Sequence, residues 1–280
     1  MGCAYKQQGV AVAVDIGLRC VGARLPELIG QLRELSGPLR IYCWRGGMRS
    51  GSLTALCQQI GLPAVAMKGG YKAFRRWALQ QLCQQRRLHV LGGYTGCGKS
   101  ELLRQMASDH QVLDLEQLAN HRGSSFGAIG LPPQPTTEQF ENQIACQLAP
   151  MDPEQPVWVE DESRSLGHCK VPDPLFAQMT TAPLFRIERS IDERVNILVK
   201  EYGAYPVEGI LEAVQRLSKR LGGLRTAQIC NALQQGELAQ AAALLLDYYD
   251  RTYTHAIKKR IGPITDIDVY SLSYGKRFSF

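Results

Sequence analysis

Leu88-His89-Val90-Leu91-Gly92-Gly93-Tyr94-Thr95-Gly96-Cys97-Gly98-Lys99-Ser100 is the stretch that settles what kind of fold this chain adopts. Four residues of strand character run into glycines, and Gly93 to Ser100 has the GxxxxGK[ST] spacing. Beyond it Leu102, Leu103 and Met106 fall at helical spacing. Strand, glycine loop and helix in that order make a phosphate cradle. Gly93, Thr95, Gly96, Cys97 and Gly98 can turn backbone N–H groups toward an anion, and the helix N-terminus adds positive partial charge. Lys99 brings a point charge, and the Ser100 hydroxyl suits Mg²⁺. The motif predicts a P-loop α/β domain that binds a diphosphate, and it leaves open whether that is ATP or another one.

Downstream, Val157-Trp158-Val159 predicts a strand, followed by Glu160, Asp161 and Glu162. A P-loop protein often sets an acid there to orient Mg²⁺ or its water, but three acids at a strand end equally suit a solvated turn. A Pro-rich loop occupies Leu131-Pro132-Pro133-Gln134-Pro135, and from about Ile187 to the end the sequence reads as largely helical.

Upstream, Ser36-Gly37-Pro38 leads into the strand Leu39-Arg40-Ile41-Tyr42, which delivers Cys43 to the loop Cys43-Trp44-Arg45-Gly46-Gly47-Met48-Arg49-Ser50. Leu53, Leu56, Cys57 and Ile60 continue at helical spacing until Gly61 and Pro63, and Ala64-Val65-Ala66-Met67 is a second strand. This order predicts a parallel sheet. Helix N-terminal amides with Arg45 and Arg49 would lower the Cys43 pKa and bind an oxyanion, which describes an attacking cysteine. A buried structural cysteine is the other reading; it fits Cys20, Cys57, Cys83, Cys146 and Cys230 better. A helix-like stretch from Tyr71 to about Arg87, carrying Lys72, Arg75, Arg76, Arg86 and Arg87, joins the two units. The boundary is expected near residue 85, giving domains 1–85 and 86–280.

Composition narrows the function classes. At 280 residues, 45% hydrophobic and 21% charged, the chain is long enough for one large globular domain or two ordinary ones. It contains no apolar run of the roughly 18 to 20 residues a membrane helix needs, and its N-terminus lacks an h-region, so no membrane association and a cytoplasmic home are expected. The nine cysteines are odd in number and include no CxxC or Cys/His pair at zinc spacing. Reduced thiols and no structural metal are expected. Residues 1–100 hold 14 Lys and Arg against 3 Asp and Glu, a net +11, whereas the rest hold 18 against 23, a net −5. The front third is thus either a solvated basic face or a surface for phosphate or nucleic acid.

The strand, Cys43 loop and helix, followed by Lys68-Gly69-Gly70-Tyr71, resemble the C-terminal half of a rhodanese domain. The loop is one residue longer than in common sulfurtransferase rhodaneses and is similar to that of rhodanese-fold phosphatases, whose cradle admits a tetrahedral phosphate-sized anion. The pairing of such a half-domain with a P-loop domain resembles the tRNA 2-selenouridine synthases along nearly the whole chain. Cys3 to Gly9, the Cys43 loop, Gly69-Gly70-Tyr71-Lys72-Ala73, Gly93 to Ser100, Asp114-Leu115-Glu116, His121 to Gly127, Glu160 to Arg164 and Tyr248-Tyr249-Asp250 carry the likeness. Members of that family begin with roughly fifty more residues, including the first rhodanese strands, so the module here is expected to be partial, with exposed sheet edges.

The resemblance implies replacement of the 2-thio sulfur of a wobble uridine in tRNA by selenium, with geranyl diphosphate and selenophosphate as co-substrates and an S-geranyl intermediate. It implies that the P-loop grips the diphosphate, that Cys43 takes selenium as a Cys-S-Se species, and that Arg45 and Arg49 hold phosphate. Lys68, Lys72, Arg75, Arg76, His121, Arg122 and Ser124 become candidate tRNA or substrate contacts, and Trp44 a ring to stack on a splayed base. A selenophosphate-supplying enzyme is an implied partner. Leu244, Leu245, Tyr248, Tyr249 and Tyr253 form a helical stripe that suits ordinary core or a slot for the geranyl chain. Two other functions stay open on the residues alone: a P-loop kinase fused to a phosphatase-like module, and a non-catalytic RNA-binding P-loop protein.

Overall fold

The computed structural model describes residues 2–268 and comprises two compact units, Met1–Trp77 and Ala78–Phe280. In the first, the helices α1 (Gly2–Gln8), α2 (Val10–Gly22) and α3 (Leu25–Glu34) precede β1 (Leu39–Ile41), α4 (Met48–Gln59), β2 (Ala64–Ala66) and α5 (Gly70–Leu82). β1 and β2 pair in parallel, Leu39 opposite Ala64 and Ile41 opposite Ala66, so the chain must cross over between them, and α4 is the crossover. Leu39, Ile41, Cys57 and Ala64 form the buried centre, with Ile29 and Leu32 of α3 and with Leu53 and Leu62 packed on it. Helix α5 stops at Leu82, short of the expected Arg87, because Gln178 takes the backbone there: its amide donates to Gln84 O at 3.1 Å and its Oε1 accepts from Arg86 N–H at 2.8 Å.

The second unit runs β3 (Leu88–Gly93), α6 (Lys99–Met106), β4 (Gln111–Leu113), α7 (Leu115–Ala119), α8 (Thr137–Leu148), β5 (Val157–Glu160), β6 (Ser165–Leu166), β7 (Cys169–Lys170), α9 (Asp173–Thr181), β8 (Leu184–Glu188), α10 (Ile191–Tyr202), α11 (Val207–Arg216), α12 (Ser218–Leu221), α13 (Gly223–Gln234), α14 (Leu238–Ile257) and β9 (Ile264–Asp268). Its five-stranded parallel sheet has the order β4-β5-β3-β8-β9. β3, first in sequence, lies at the centre, with Val90 opposite Val159 on one side and Leu184 on the other. From β3 the chain goes to the edge strand β4, returns to place β5 between the two, and then crosses to the other side of β3 for β8 and β9. The crevice of such a switch opens at the carboxyl end of β3, where the glycine loop begins.

Every residue of β3 and of β5 is buried, which accounts for their continuous apolar sequences in a sheet covered on both faces. Trp158 fills the centre, its ring 4.9 Å from Phe185 and 5.0 Å edge-on from His89. A second core joins α11, α13 and α14 through Ile210, Val214, Ile229 and Leu233, with Phe126 inserted from a loop.

The expectation of largely helical sequence from Ile187 onward needs correction at both ends. Ile187 is the fourth residue of β8, and Ile264–Asp268 forms the edge strand β9. Five-residue segments are too short for periodicity to separate strand from helix, and β9 owes its place to a long-range contact, the bidentate pair of Arg186 with Asp266 at 2.6 and 2.8 Å. Residues 269–280 lie outside the described residues. No helix among the described residues is long and apolar enough to cross a membrane. Trp158→Ala empties the centre of the sheet and is expected to lower the unfolding free energy by about 3–5 kcal/mol, read as a shift in the urea midpoint by circular dichroism.

Candidate functional site

In the second unit the glycine loop leaves β3 and turns into α6 with Gly93, Gly96 and Gly98 at φ of 145°, 79° and 83°. A Cβ on Gly93 would lie 2.6 Å from Cys97 Sγ, and one on Gly96 would lie 3.0 Å from Arg194 O. Only glycine allows this loop its shape. Lys99 Nζ reaches back to Gly93 O at 3.4 Å, and the Ser100 hydroxyl donates to Glu116 Oε2 at 2.5 Å. Burial works against the Lys99 ammonium, but Cys97, Glu162 and Glu116 around it prevail and hold its pKa above the ordinary lysine range.

The three acids after β5 have separate surroundings. Glu160 is fully buried and accepts the Leu115 N–H at 2.9 Å; burial, with Asp114 alongside, raises its pKa. Asp161 accepts from Arg260 at 2.8 Å and from the Tyr253 hydroxyl at 3.2 Å. Glu162 lies by Glu116 and Lys99; burial and then Glu116 push it to about 8 against the opposing pull of Lys99. The loop carrying His121, Arg122 and Ser124 meets the same corner, since a Cβ on Gly123 would strike the Glu162 carboxylate. His121 is buried with no partner for Nδ1, and burial lowers its pKa. Arg122 pairs with Glu201 at 2.8 Å, donates to Ile129 O at 2.7 Å and lies over the Tyr202 ring, so it braces the loop. Ser124 Oγ accepts the Phe126 N–H at 3.2 Å.

Arg194, Arg189 and Arg260 were not marked by the sequence reading, and Tyr253 was read only as part of the helical stripe that suits core or a geranyl slot, not as a contact of the loop. Arg194 of α10, almost wholly buried, clasps Asp250 of α14 through two bonds of 2.8 and 2.7 Å and donates to Thr95 O at 3.3 Å. Tyr253 accepts the Gly93 N–H at 2.7 Å while bonding Asp161, which Arg260 holds from the other side. Arg189, just past β8, lies beside Gly98, where a Cβ would sit 3.9 Å from Nη2, and its buried Nε has no hydrogen-bond partner. Asp250 in Tyr248-Tyr249-Asp250 was the one available signal, an acid set in an otherwise apolar stripe. Of that stripe, Leu244, Leu245, Tyr248 and Tyr249 pack on the helical core.

In the first unit Cys43 follows β1 and heads the loop into α4. Gly47 N–H donates to Cys43 Sγ at 3.2 Å, and the buried Ser50 hydroxyl lies 3.3 Å from Sγ and 3.1 Å from Gly47 O. The Ser50 hydroxyl first, then the Ser50 amide, lower the Cys43 pKa to about 6, with the Gly47 and Arg45 amides adding and burial opposing. Lys68-Gly69-Gly70 closes the loop from behind: a Cβ on Gly70 would run into Cys43 O and the Gly46 amide, and Tyr71 N–H donates to Cys43 O at 2.9 Å. Arg45 and Arg49 are exposed and pair with no carboxylate among the described residues. Tyr71, Phe74 and Trp77 recur every third residue on α5, and Trp44 comes to 5.6 Å and Tyr42 to 6.2 Å of Tyr71. Lys68, Lys72 and Arg76 are exposed, and Arg75 is half-buried. Of the cysteines expected to be buried, Cys57 is; Cys230 is half-buried, and Cys20 of α2, Cys146 of α8 and Cys83 in the turn after α5 are exposed.

A family model described as the tRNA 2-selenouridine synthase AAA domain matches residues 86–269. Curated relatives are similar along most of the chain. The tRNA 2-selenouridine synthase of Alcanivorax borkumensis is 33% identical over 94% of this chain and 82% of its own length. That of Marinobacter nauticus is 32% identical over 94% and 81%, and that of Nitrosomonas eutropha 31% identical over 100% and 72%.

With its pKa at about 6, Cys43 is mostly thiolate above that pH and thiol below it. Its alkylation by iodoacetamide is expected to rise with pH through a midpoint near 6, and Ser50→Ala is expected to move that midpoint upward, both read by mass spectrometry of the peptide.

Proposed function

The chain belongs to the tRNA 2-selenouridine synthase family, and from that premise we propose that it is a tRNA-modifying transferase that exchanges the 2-thio sulfur of a wobble uridine for selenium. Residues 1–85 are read as a rhodanese-like module that handles selenophosphate and residues 86–280 as a P-loop module that handles geranyl diphosphate. The observation that supports this reading is that one chain carries two strand–loop–helix turns, each suited to an anion but of different chemistry. One sets a thiol of lowered pKa in a loop that carries two exposed arginines, which pair with no carboxylate among the described residues; the other is built around a lysine.

In the first reaction the thiocarbonyl sulfur attacks the allylic carbon of geranyl diphosphate, the C–S bond forming as the C–O bond breaks. The amides from Gly93 to Gly98, with Lys99 and Ser100, take up the charge of the departing diphosphate. Arg189 adds a second cation beside Gly98. Ser100, Glu116 and Glu162 offer the hard oxygen donors that suit Mg²⁺, which when bound would supply further charge to the same oxygens. Asp161, held by Arg260 and Tyr253, fixes the start of the loop instead.

In the second reaction Arg45 and Arg49 bind the phosphate oxygens of selenophosphate and Cys43 opens it; selenium reaches C2 of the base and geranylthiol leaves. A selenophosphate-supplying enzyme is the natural partner. Lys68, Lys72, Arg75 and Arg76 meet tRNA phosphates, and the exposed rings of Tyr42 and Trp44 offer faces to unpaired bases. Ser124 and His121, in the loop against Glu162, line the approach to the diphosphate, with Arg122 as their brace.

Mass spectrometry of a 2-thiouridine anticodon stem-loop incubated with geranyl diphosphate, with and without selenophosphate, tests the proposal. Cys43→Ala is expected to accumulate the S-geranyl product and make no selenouridine. Lys99→Ala should lose geranylation by about a hundredfold, and Arg189→Ala should weaken geranyl diphosphate binding by about tenfold. Unmodified RNA from the wild-type chain and from a longer relative alike would overturn the assignment.

A further inference from the structure

We propose that Cys43 attacks the phosphorus of selenophosphate, not its selenium, so that the first unit releases hydroselenide and carries the phosphoryl group as a cysteinyl phosphate. The inference rests on selenophosphate being the ligand of this loop, and it fixes which atom of that ligand is attacked.

The geometry favours phosphorus. Five residues separate Cys43 from Arg49, and the Gly47 N–H and the Ser50 hydroxyl hold the sulfur at 3.2 and 3.3 Å, at the head of α4. A tetrahedral anion whose three oxygens bind the loop amides and arginines turns its phosphorus toward the thiolate and its fourth substituent away. Selenium is then opposite the nucleophile, in line for departure and directed out of the cradle.

Two further observations fit this atom. No Asp or Glu occurs between Leu35 and Ser100, so the loop and the elements flanking it in sequence carry no carboxylic general acid. An enzyme cleaving an ordinary phosphate ester must protonate a leaving oxygen, whereas hydroselenide is a weak base and departs as the anion. Ser50 fits the reverse step: a hydroxyl beside Sγ stabilises the thiolate as it leaves phosphorus, and a thiol of low pKa is the better leaving group.

The atoms balance. The Cys43 thiolate gives its electron pair to phosphorus, the S–P bond forms, and the P–Se bond breaks with its pair on selenium, which leaves as hydroselenide. Hydroselenide adds at C2 of the S-geranyl nucleoside, and the C–S bond breaks with its pair on the geranylthiolate. Water then attacks the phosphorus of the cysteinyl phosphate, and the S–P pair returns to Cys43 as inorganic phosphate departs. Nothing is oxidised or reduced. Attack at selenium would expel phosphorus with the bonding pair, as phosphite, and would leave selenium on sulfur in a form that needs a reductant to be released.

The test uses the full chain and selenophosphate labelled with radioactive phosphorus, quenched in neutral detergent. The expected result is near-stoichiometric label on Cys43, inorganic phosphate as the phosphorus product by ³¹P NMR, and no label in Cys43→Ala or in wild-type protein alkylated beforehand. Ser50→Ala is expected to release the label about tenfold more slowly, as the lost hydrogen bond to a charged leaving group requires; a merely structural role would not prolong the adduct. Phosphite in solution with selenium retained on the protein would overturn the choice of atom alone. Phosphate release unchanged by Cys43→Ala would likewise sink it. A wild-type chain that consumes no selenophosphate would remove the reading of this loop's ligand as well.

Discussion

Both cradles depend on one constraint: backbone must approach backbone more closely than any side chain permits. At the Cys43 loop the Gly70 backbone lies where its own Cβ would strike Cys43 O and the Gly46 amide, and at the P-loop Gly93 is closed in by Cys97 Sγ and Ile187 O. Such approach fixes where the loop amides point: Gly47 N–H is given to Cys43 Sγ at 3.2 Å and Gly93 N–H to the Tyr253 hydroxyl at 2.7 Å. The glycines at positive φ are therefore what gives the two loops their shape, and the helices α4 and α6 follow directly from them.

Around that constraint the second unit adds cross-chain ties. Arg194 joins α10 to Thr95 of the loop and to Asp250 of α14, and Tyr253 joins the loop's first amide to Asp161. Arg260 then fastens Asp161 to the Met179 and Ala182 carbonyls at 2.9 and 3.2 Å. The C-terminal helices thus hold the glycine loop in shape, although the core they form lies around Phe126 and Ile229. Breaking one member of the Arg194–Asp250 pair leaves a buried charge alone, the costly kind of loss.

The two cradles were legible in the sequence because each is local. Gly93 to Ser100 and Cys43 to Ser50 announce themselves within eight residues, and the strands before them are apolar runs of the right length. The contacts that brace the glycine loop were not legible, since Arg194 meets Thr95 across 99 positions and Tyr253, readable only as part of a helical stripe, meets Gly93 across 160. The strand β9 was hidden for the same reason: its five residues find their place by pairing with β8, a partner 80 positions earlier. Among the three acids after β5, proximity in sequence concealed different fates, one tied to an amide, one to Arg260 and Tyr253, and one set beside Lys99.

Lys99 in turn is not an idle cation. It rests among Glu162, Glu116 and its own loop's carbonyl, with Glu162 near 8. On the proposed reading, an anion bound at this loop would draw the lysine out of an internal network, so that capture would be an exchange of partners. Glu162, deprived of that cation, would hold its proton more tightly, so near pH 8, where it is otherwise about half ionised, an anion complex formed without metal would take up part of a proton from solvent. The heat of that association would then track the ionisation enthalpy of the buffer, a thermodynamic trace of a lysine changing hands.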